Sequence, residues 1–294
     1  MEIRKAERKK AKLRLGIAAP SGAGKTYSSL LLAFGLGGKV GLIDTEHGSG
    51  DLYAHLGDYD IIGIEAPYTI TKYLQAIKAF EQAGYSTIII DSLSHAWAGD
   101  GGLLDKQGKI ADSGKANGFA AWRTITPEHN SLVEAMLRSP CHIIATMRAK
   151  QEYVLETNDK GKQVPKKVGL APVQREGMEY EFTVMLDVDM NHIASASKDR
   201  TSLFDGRFFK ITPDTGKELL AWLETGAEPP KVDEKLLADH MAAIEAADSM
   251  EALFKAFSAA YKAAEALKDS HAMAIFTDAK DARKQKLTHL VGAN

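Results

Sequence analysis

Cysteine occurs once in this chain, at Cys141, and no stretch approaches the roughly 20 consecutive apolar residues that cross a bilayer. The single thiol excludes an intrachain disulfide and points to a reducing compartment. With Ile143 and Ile144 beside it, it is expected as a buried structural thiol. An excess of charge is also missing. The 37 Lys and Arg against 39 Asp and Glu leave a net charge of −2, so no global field gathers nucleic acid and any such binding must come from local basic patches. The rest of the composition is 45% hydrophobic and 26% charged, which suits a globular protein of one large domain or one domain with an appendage. The N-terminal stretch carries Arg4, Lys5, Arg8, Lys9, Lys10, Lys12 and Arg14 without the apolar segment of a signal peptide. Residues 1–12 are therefore expected as a basic arm, either solvated or in contact with a phosphate backbone, and no membrane partner is expected.

The most informative stretch is Ala19-Pro20-Ser21-Gly22-Ala23-Gly24-Lys25-Thr26, which follows the apolar run Leu13, Leu15, Ile17, Ala18 and opens a helical one. A strand, a glycine loop and a helix in that order is the context a phosphate-binding loop requires. Small residues let the backbone approach a triphosphate, so that successive N–H groups and the positive end of the next helix face it. Lys25 would reach the β and γ oxygens and Thr26 would hold Mg²⁺. The nucleotide-binding set is thus Ser21, Gly22, Ala23, Gly24, Lys25, Thr26 and the adjoining Tyr27. Ala19 stands where the motif has its first glycine.

Further along, Val40–Asp44, 61–64 and Thr87–Asp91 read as buried strands, with helices over 27–34 and 69–83. The strand ending in Asp91 is the usual companion of a phosphate loop, and its carboxylate can hold Mg²⁺. Glu46, just past the strand that ends at Asp44, reads either as a solvated loop acid or as the base that orients an attacking water. Residues 98–118, rich in glycine, read as a mobile loop with Lys106, Lys109 and Lys115. A helix over 119–138 comes next, with Thr126-Pro127 as an internal N-cap and first-turn pair, then a strand over 142–146. Residues 149–181 read as a second long loop carrying Lys150, Lys160, Lys162, Lys166, Lys167 and Arg175, either a nucleic-acid element or a solvated excursion. Only Tyr153 and Tyr180 offer rings there, so base stacking has little support. Strands over 182–188 and 192–197 pair around Asp189-Met190-Asn191 and lead to Lys198-Asp199-Arg200, and a last helix covers about 215–223. Glu228-Pro229-Pro230 marks a boundary. Beyond it lie alanine-rich helices over 233–246, 249–267 and 270–287, with Asp248 and Glu251 spaced as a capping box. These helices either bury their faces against one another or offer a partner surface.

Taken together, the phosphate loop, Ile43-Asp44-Thr45-Glu46-His47 with Tyr53-Ala54 and Leu56-Gly57, and Ile90-Asp91-Ser92 resemble the RecA-type ATPase core. The resemblance implies an α/β fold, a mostly parallel twisted sheet flanked by helices, over 13–227, with a helical appendage over 228–294. It also implies that Glu46 activates water, that Tyr53 packs on adenine, and that the two long loops bind DNA. RecA's glutamine at the end of the next strand is replaced here by Thr146-Met147-Arg148. Lys198-Asp199-Arg200 is similar to the KxR element of DnaB-type helicases and RadA proteins, which implies that Lys198 and Arg200 enter a neighbour's ATP site.

Over 10–226 the chain most resembles phage-encoded RecA-like proteins of the single-strand-annealing type, on its lysine-rich lead-in, residues 91–97, Gln174-Arg175-Glu176-Gly177 and Tyr180-Glu181-Phe182. This resemblance implies a Mg²⁺-dependent ATPase of recombination, in the cytoplasm of a bacterial host. Its expected partners are single-stranded DNA, further copies of itself in a ring or filament, and a single-strand-binding protein. A DnaB-like helicase and a nucleotide-gated adaptor are the alternatives. Lys25→Ala is expected to abolish nucleotide binding; unchanged ATP affinity by calorimetry would remove the central reading.

Overall fold

The computed structural model describes residues 5–114, 118–157, 163–228, 230–267 and 269–291. Apolar runs without a polar face can only be satisfied when covered on both sides, the condition of a parallel sheet between two helical layers. Strands β1 (Arg14–Ala19), β2 (Val40–Asp44) and β4 (Thr87–Asp91) are buried at every position, as are residues 142–147 of β5 (His142–Thr157). With β3 (Asp60–Gly63) and β7 (Val184–Val188) they form parallel neighbours in the order β3-β2-β4-β5-β1-β7. Strand β8 (Ala194–Asp199) closes that edge antiparallel to β7.

Alternation along each strand sorts the core into two layers. Ile88, Ile90, Ile143, Ala145 and Met147 face α2 (Ile70–Gln82), α3 (Leu93–Ala98), α4 (Leu103–Asp112) and α5 (Gly118–Arg138). Leu15, Ile17, Leu42, Ile89 and Ile144 face α1 (Lys25–Leu36) and α6 (Pro213–Leu223). Helices α1 and α6 touch backbone to backbone: a Cβ at Gly35 would fall on the Pro213 carbonyl, and one at Gly216 on the Leu32 carbonyl. Cys141 is buried, and its Sγ donates to the Tyr85 carbonyl at 2.9 Å, as expected of a structural thiol.

Several local expectations are corrected. Within 98–118, read as a mobile loop, residues 103–112 form α4, because Leu103 anchors in the core and Asp105 accepts from the Gly101 N–H at 2.9 Å and from Lys109 at 2.7 Å. Helix α5 runs unbroken through Pro127, with no internal cap. The supposed second loop is an extension of β5 paired antiparallel with β6 (Gln163–Pro172), with Thr157 opposite Gln163. A short 3-10 turn, Met178–Glu181, comes after it.

Residues 11–224 make one compact unit, and those from 225 onward, with those up to Lys10, another. In the second unit α7 (Glu234–Ala246), α8 (Met250–Leu267) and α9 (Ser270–Val291) bury Ile244, Leu253, Ala264 and Phe276 together. Ser249, rather than Asp248, caps α8, its Oγ accepting from the Ala252 N–H at 3.2 Å. The basic arm is not a free tail over its described residues: Lys9 bridges Ala227, Arg8 Nε donates to Thr225 Oγ1 at 2.6 Å, and Lys10 pairs with Glu228 at 2.6 Å. No described helix is long and apolar enough to cross a membrane. Gly35→Ala should cost about 2–4 kcal/mol in denaturant unfolding, because the obstructing atoms are backbone and cannot rotate away.

Candidate nucleotide site

At the carboxyl ends of the parallel strands, β1 gives way to Pro20-Ser21-Gly22-Ala23-Gly24 and then α1. Gly22 and Gly24 hold φ of 82° and 85°, a left-handed conformation that glycine adopts without cost. No side chain caps α1, so its first N–H groups are available to an anion. Lys25 Nζ donates to the carbonyls of Ala19 at 3.3 Å and Pro20 at 3.1 Å. Desolvation lowers the Lys25 pKa, while the Asp91 and Glu46 carboxylates resist the shift.

Because β2 and β4 are neighbours in register at Asp44 and Asp91, their ends deliver two acids to this loop. Asp91 is almost fully buried, and its two carboxylate oxygens accept from the hydroxyls of Thr26 and Thr146. Burial raises its pKa, and those two donors oppose the rise. Asp44 serves the backbone: its carboxylate accepts from the N–H groups of Glu46 at 2.6 Å and Gly50 at 3.0 Å, bending the turn that carries Glu46. Behind them Thr45 Oγ1 accepts from the Ser92 N–H at 2.8 Å and lies 2.7 Å from His95 Nδ1, with His95 stacked on Tyr68 at 4.7 Å.

Glu46 is gripped by a residue from β5. Arg148 donates from Nε to Oε1 at 3.1 Å and from Nη2 to Oε2 at 2.7 Å, and Ser92 Oγ donates to Oε1 at 3.4 Å. Burial alone would raise the Glu46 pKa; the Arg148 hydrogen bonds and charge, with His95 and Lys25, outweigh it and hold the carboxyl below its ordinary value. Arg148 also begins the β5–β6 hairpin, its N–H bonded to Ser94 Oγ at 2.9 Å and its carbonyl accepting from Val173 at 2.6 Å.

These groups surround a cleft of about 710 Å³, within the range of small-ligand pockets. Ser21, Gly22, Gly24, Lys25, Thr26, Glu46, Tyr53 and Asp91 line it, together with Ser49, Arg148, Ala149, Lys150 and Val173. Tyr27 meets Tyr53 edge-on at 6.0 Å, and Ala23 is buried beside the loop. The grip of Arg148 on Glu46 is the part of this site that sequence reasoning misses; its only sign in the chain is a cation where the RecA-type core has a glutamine.

Other expected site residues lie elsewhere. Lys198 pairs in register with Met185 near the start of β7, at the opposite end of the sheet from the loop. There Lys198 Nζ donates to the carbonyls of Glu179 at 3.0 Å and Tyr180 at 2.5 Å, and Arg200 Nη2 to that of Tyr180 at 3.2 Å. Neither residue lines its own chain's cleft. Lys106 pairs with Glu128, Lys109 with Asp105, and Arg175 donates to Thr126 Oγ1 at 3.2 Å while lying 5.8 Å over Trp122. Lys115, Lys160 and Lys162 fall outside the described residues, as do the side chains of Lys166 and Lys167 on β6.

Thr26 Oγ1 and Asp91 Oδ2 form a hard oxygen pair that suits Mg²⁺. Among the described residues no group of three His, Cys, Asp or Glu could hold a metal. The fit is therefore to a cation that brings phosphate oxygens and water as its remaining ligands. Removing the guanidinium in Arg148→Ala should raise the Glu46 pKa, since the group that holds it down is gone. The acid limb of the pH dependence of kcat/KM for ATP should then move toward neutral; an unmoved limb would mean that Glu46 does not limit the rate.

No curated protein matches the chain. Among solved structures it is similar to the RadB recombinase, at 16% identity over 69% of this chain and 90% of that one, with a TM-score of 0.39. It is also similar to a prototypical ATPase from the type III secretion system of pathogenic bacteria, at 13% identity over 94% of this chain and 81% of that one, with a TM-score of 0.35. A family model described as an AAA domain matches residues 11–216, and on that match the chain belongs to the AAA-domain family of P-loop proteins.

Proposed function

We propose that this protein is a Mg²⁺-dependent ATPase that binds single-stranded DNA and uses its nucleotide cycle to promote annealing or strand pairing. The observation that carries the enzymatic part is the convergence of Asp91 and Glu46, from adjoining strands, on the loop that holds Lys25 and Thr26.

The chain's own groups account for the steps. Backbone N–H groups of the loop and the Lys25 ammonium bind the phosphate tail and stabilise the charge that builds as the γ-phosphoryl group leaves. Thr26 and Asp91 would hold Mg²⁺, which when bound supplies charge neutralisation on the β and γ oxygens. Glu46, kept ionised by Arg148, can accept a hydrogen bond from the attacking water and take its proton. Tyr53, at the side of the cleft with Tyr27 against it, offers a ring for the base.

The DNA part rests on the chemistry of the cleft wall. Arg148, Ala149, Lys150 and Val173 belong to the base of the β5–β6 hairpin, which carries Lys166 and Lys167 on β6. Nucleotide contacts at Arg148 thus bear on an element with cations suited to a phosphate backbone. Assembly of several copies would bring Lys198 and Arg200 of one to the cleft of the next, and a single-strand-binding protein is the partner proposed for the helices beyond residue 230.

Glu46→Gln should retain ATP yet lose turnover by about 10²–10⁴-fold, while normal turnover would move the base elsewhere. Single-stranded DNA should stimulate ATP hydrolysis, and the stimulation should fade as salt rises from low to physiological concentration. Turnover indifferent to DNA at every salt concentration would refute the DNA-linked reading. ATP-driven unwinding of a duplex would identify a helicase instead.

A further inference from the structure

The phosphate loop has one contact that the hydrolytic steps do not use. The carbonyl of Ala23 accepts a hydrogen bond from His192 Nδ1 at 3.1 Å, across 169 residues of sequence. His192 sits in the turn between β7 and β8, and that turn is tightly specified. The Asp189 carboxylate accepts from the N–H groups of Asn191 at 2.8 Å and Ile193 at 2.9 Å. The Asp189 N–H donates to the Ile193 carbonyl, and the His192 N–H to the Asp189 carbonyl, each at 3.0 Å. His192 itself has φ of 62°, in the left-handed region that side chains other than Asn, Asp and His rarely adopt. The turn flanks the loop closely: a Cβ at Gly24 would lie 3.4 Å from His192 Nδ1, and one at Gly22 3.7 Å from Met190 Cε.

We infer that His192 is a positioning residue of the phosphate site, orienting the Ala23–Gly24 peptide so that the loop's N–H groups meet a polyphosphate. A trans peptide is planar, and its carbonyl and N–H point in opposite directions. Fixing the Ala23 carbonyl on His192 therefore directs the Gly24 N–H away from that side chain, and Gly24 lines the cleft. A loop whose peptides already point the right way loses less conformational freedom when the phosphates arrive. Since Ala23 offers an acceptor, Nδ1 must carry the hydrogen, which both the neutral Nδ1–H tautomer and the imidazolium satisfy. This inference rests on the reading of the cleft as a nucleotide site.

The test compares the full chain with His192→Gly and His192→Asn, each checked for folding by thermal melting. Glycine accepts the left-handed backbone but removes the donor. Asparagine also tolerates that conformation, and its amide nitrogen takes the place of Nδ1. Calorimetry with ADP and a non-hydrolysable ATP analogue, and steady-state ATP turnover, are the readouts. His192→Gly should weaken both nucleotides and raise KM by about 3- to 10-fold, the worth of one hydrogen bond, with kcat within about two-fold. His192→Asn should restore most of the loss, which a merely structural role would not produce. Unchanged affinity in His192→Gly, or a loss that His192→Asn fails to recover, overturns the assignment. A wild-type chain that binds neither nucleotide overturns the nucleotide reading itself, and this inference with it.

Discussion

The hydroxyls of Thr26 and Thr146 close on the two oxygens of Asp91, and the organisation of the cleft depends on that three-way contact. Thr26 opens α1, Asp91 ends β4 and Thr146 lies on β5, so one buried carboxylate ties the phosphate loop to two strands. An anion in that position needs donors, because burial penalises its charge; the two hydroxyls meet part of the cost. The same carboxylate cannot relax toward solvent, which keeps it where a phosphate-bound cation would need it.

Around this contact the charges balance one another. Lys25, Glu46 and Arg148 form an alternating set in which each cation lies near a carboxylate, and the pKa directions reflect it: Lys25 lowered by desolvation, Glu46 lowered because Arg148 outweighs its burial. In the Arg148–Glu46 pair the arginine is half exposed and the glutamate a quarter, so solvent screens the pair and its worth is geometric more than energetic. It places the expected base and the foot of the β5–β6 hairpin in one hydrogen-bonded unit. The wall of the cleft and the foot of the hairpin therefore share a residue.

Much of the core was legible in the chain itself. A glycine loop between an apolar strand and a helix, and a second apolar strand ending in Asp91, are contiguous patterns that each arise from local backbone requirements. The paired strands around Asp189-Met190-Asn191 and the three alanine-rich helices were readable for the same reason. The two glycine- and lysine-rich segments were not. Residues 103–112 are amphipathic but lie among Gly99, Gly101, Gly102, Gly108 and Gly114, which read as loop; they fold as a helix because Leu103 reaches the core and Asp105 bonds the preceding turn. Pro127 resembles a helix start, but α5 continues through it with Ile125 and Leu132 both in the core.

By itself the sequence determined the phosphate loop and the acids at the ends of two strands, because those signals depend on neighbours in the chain. Only the tertiary structure decided which distant groups meet them. Arg148 reaches Glu46 across 102 residues and His192 reaches Ala23 across 169, while Lys198 and Arg200 bond the Tyr180 carbonyl beside the start of β7. Strand order and register set those pairings, and neither is written in any local run of residues.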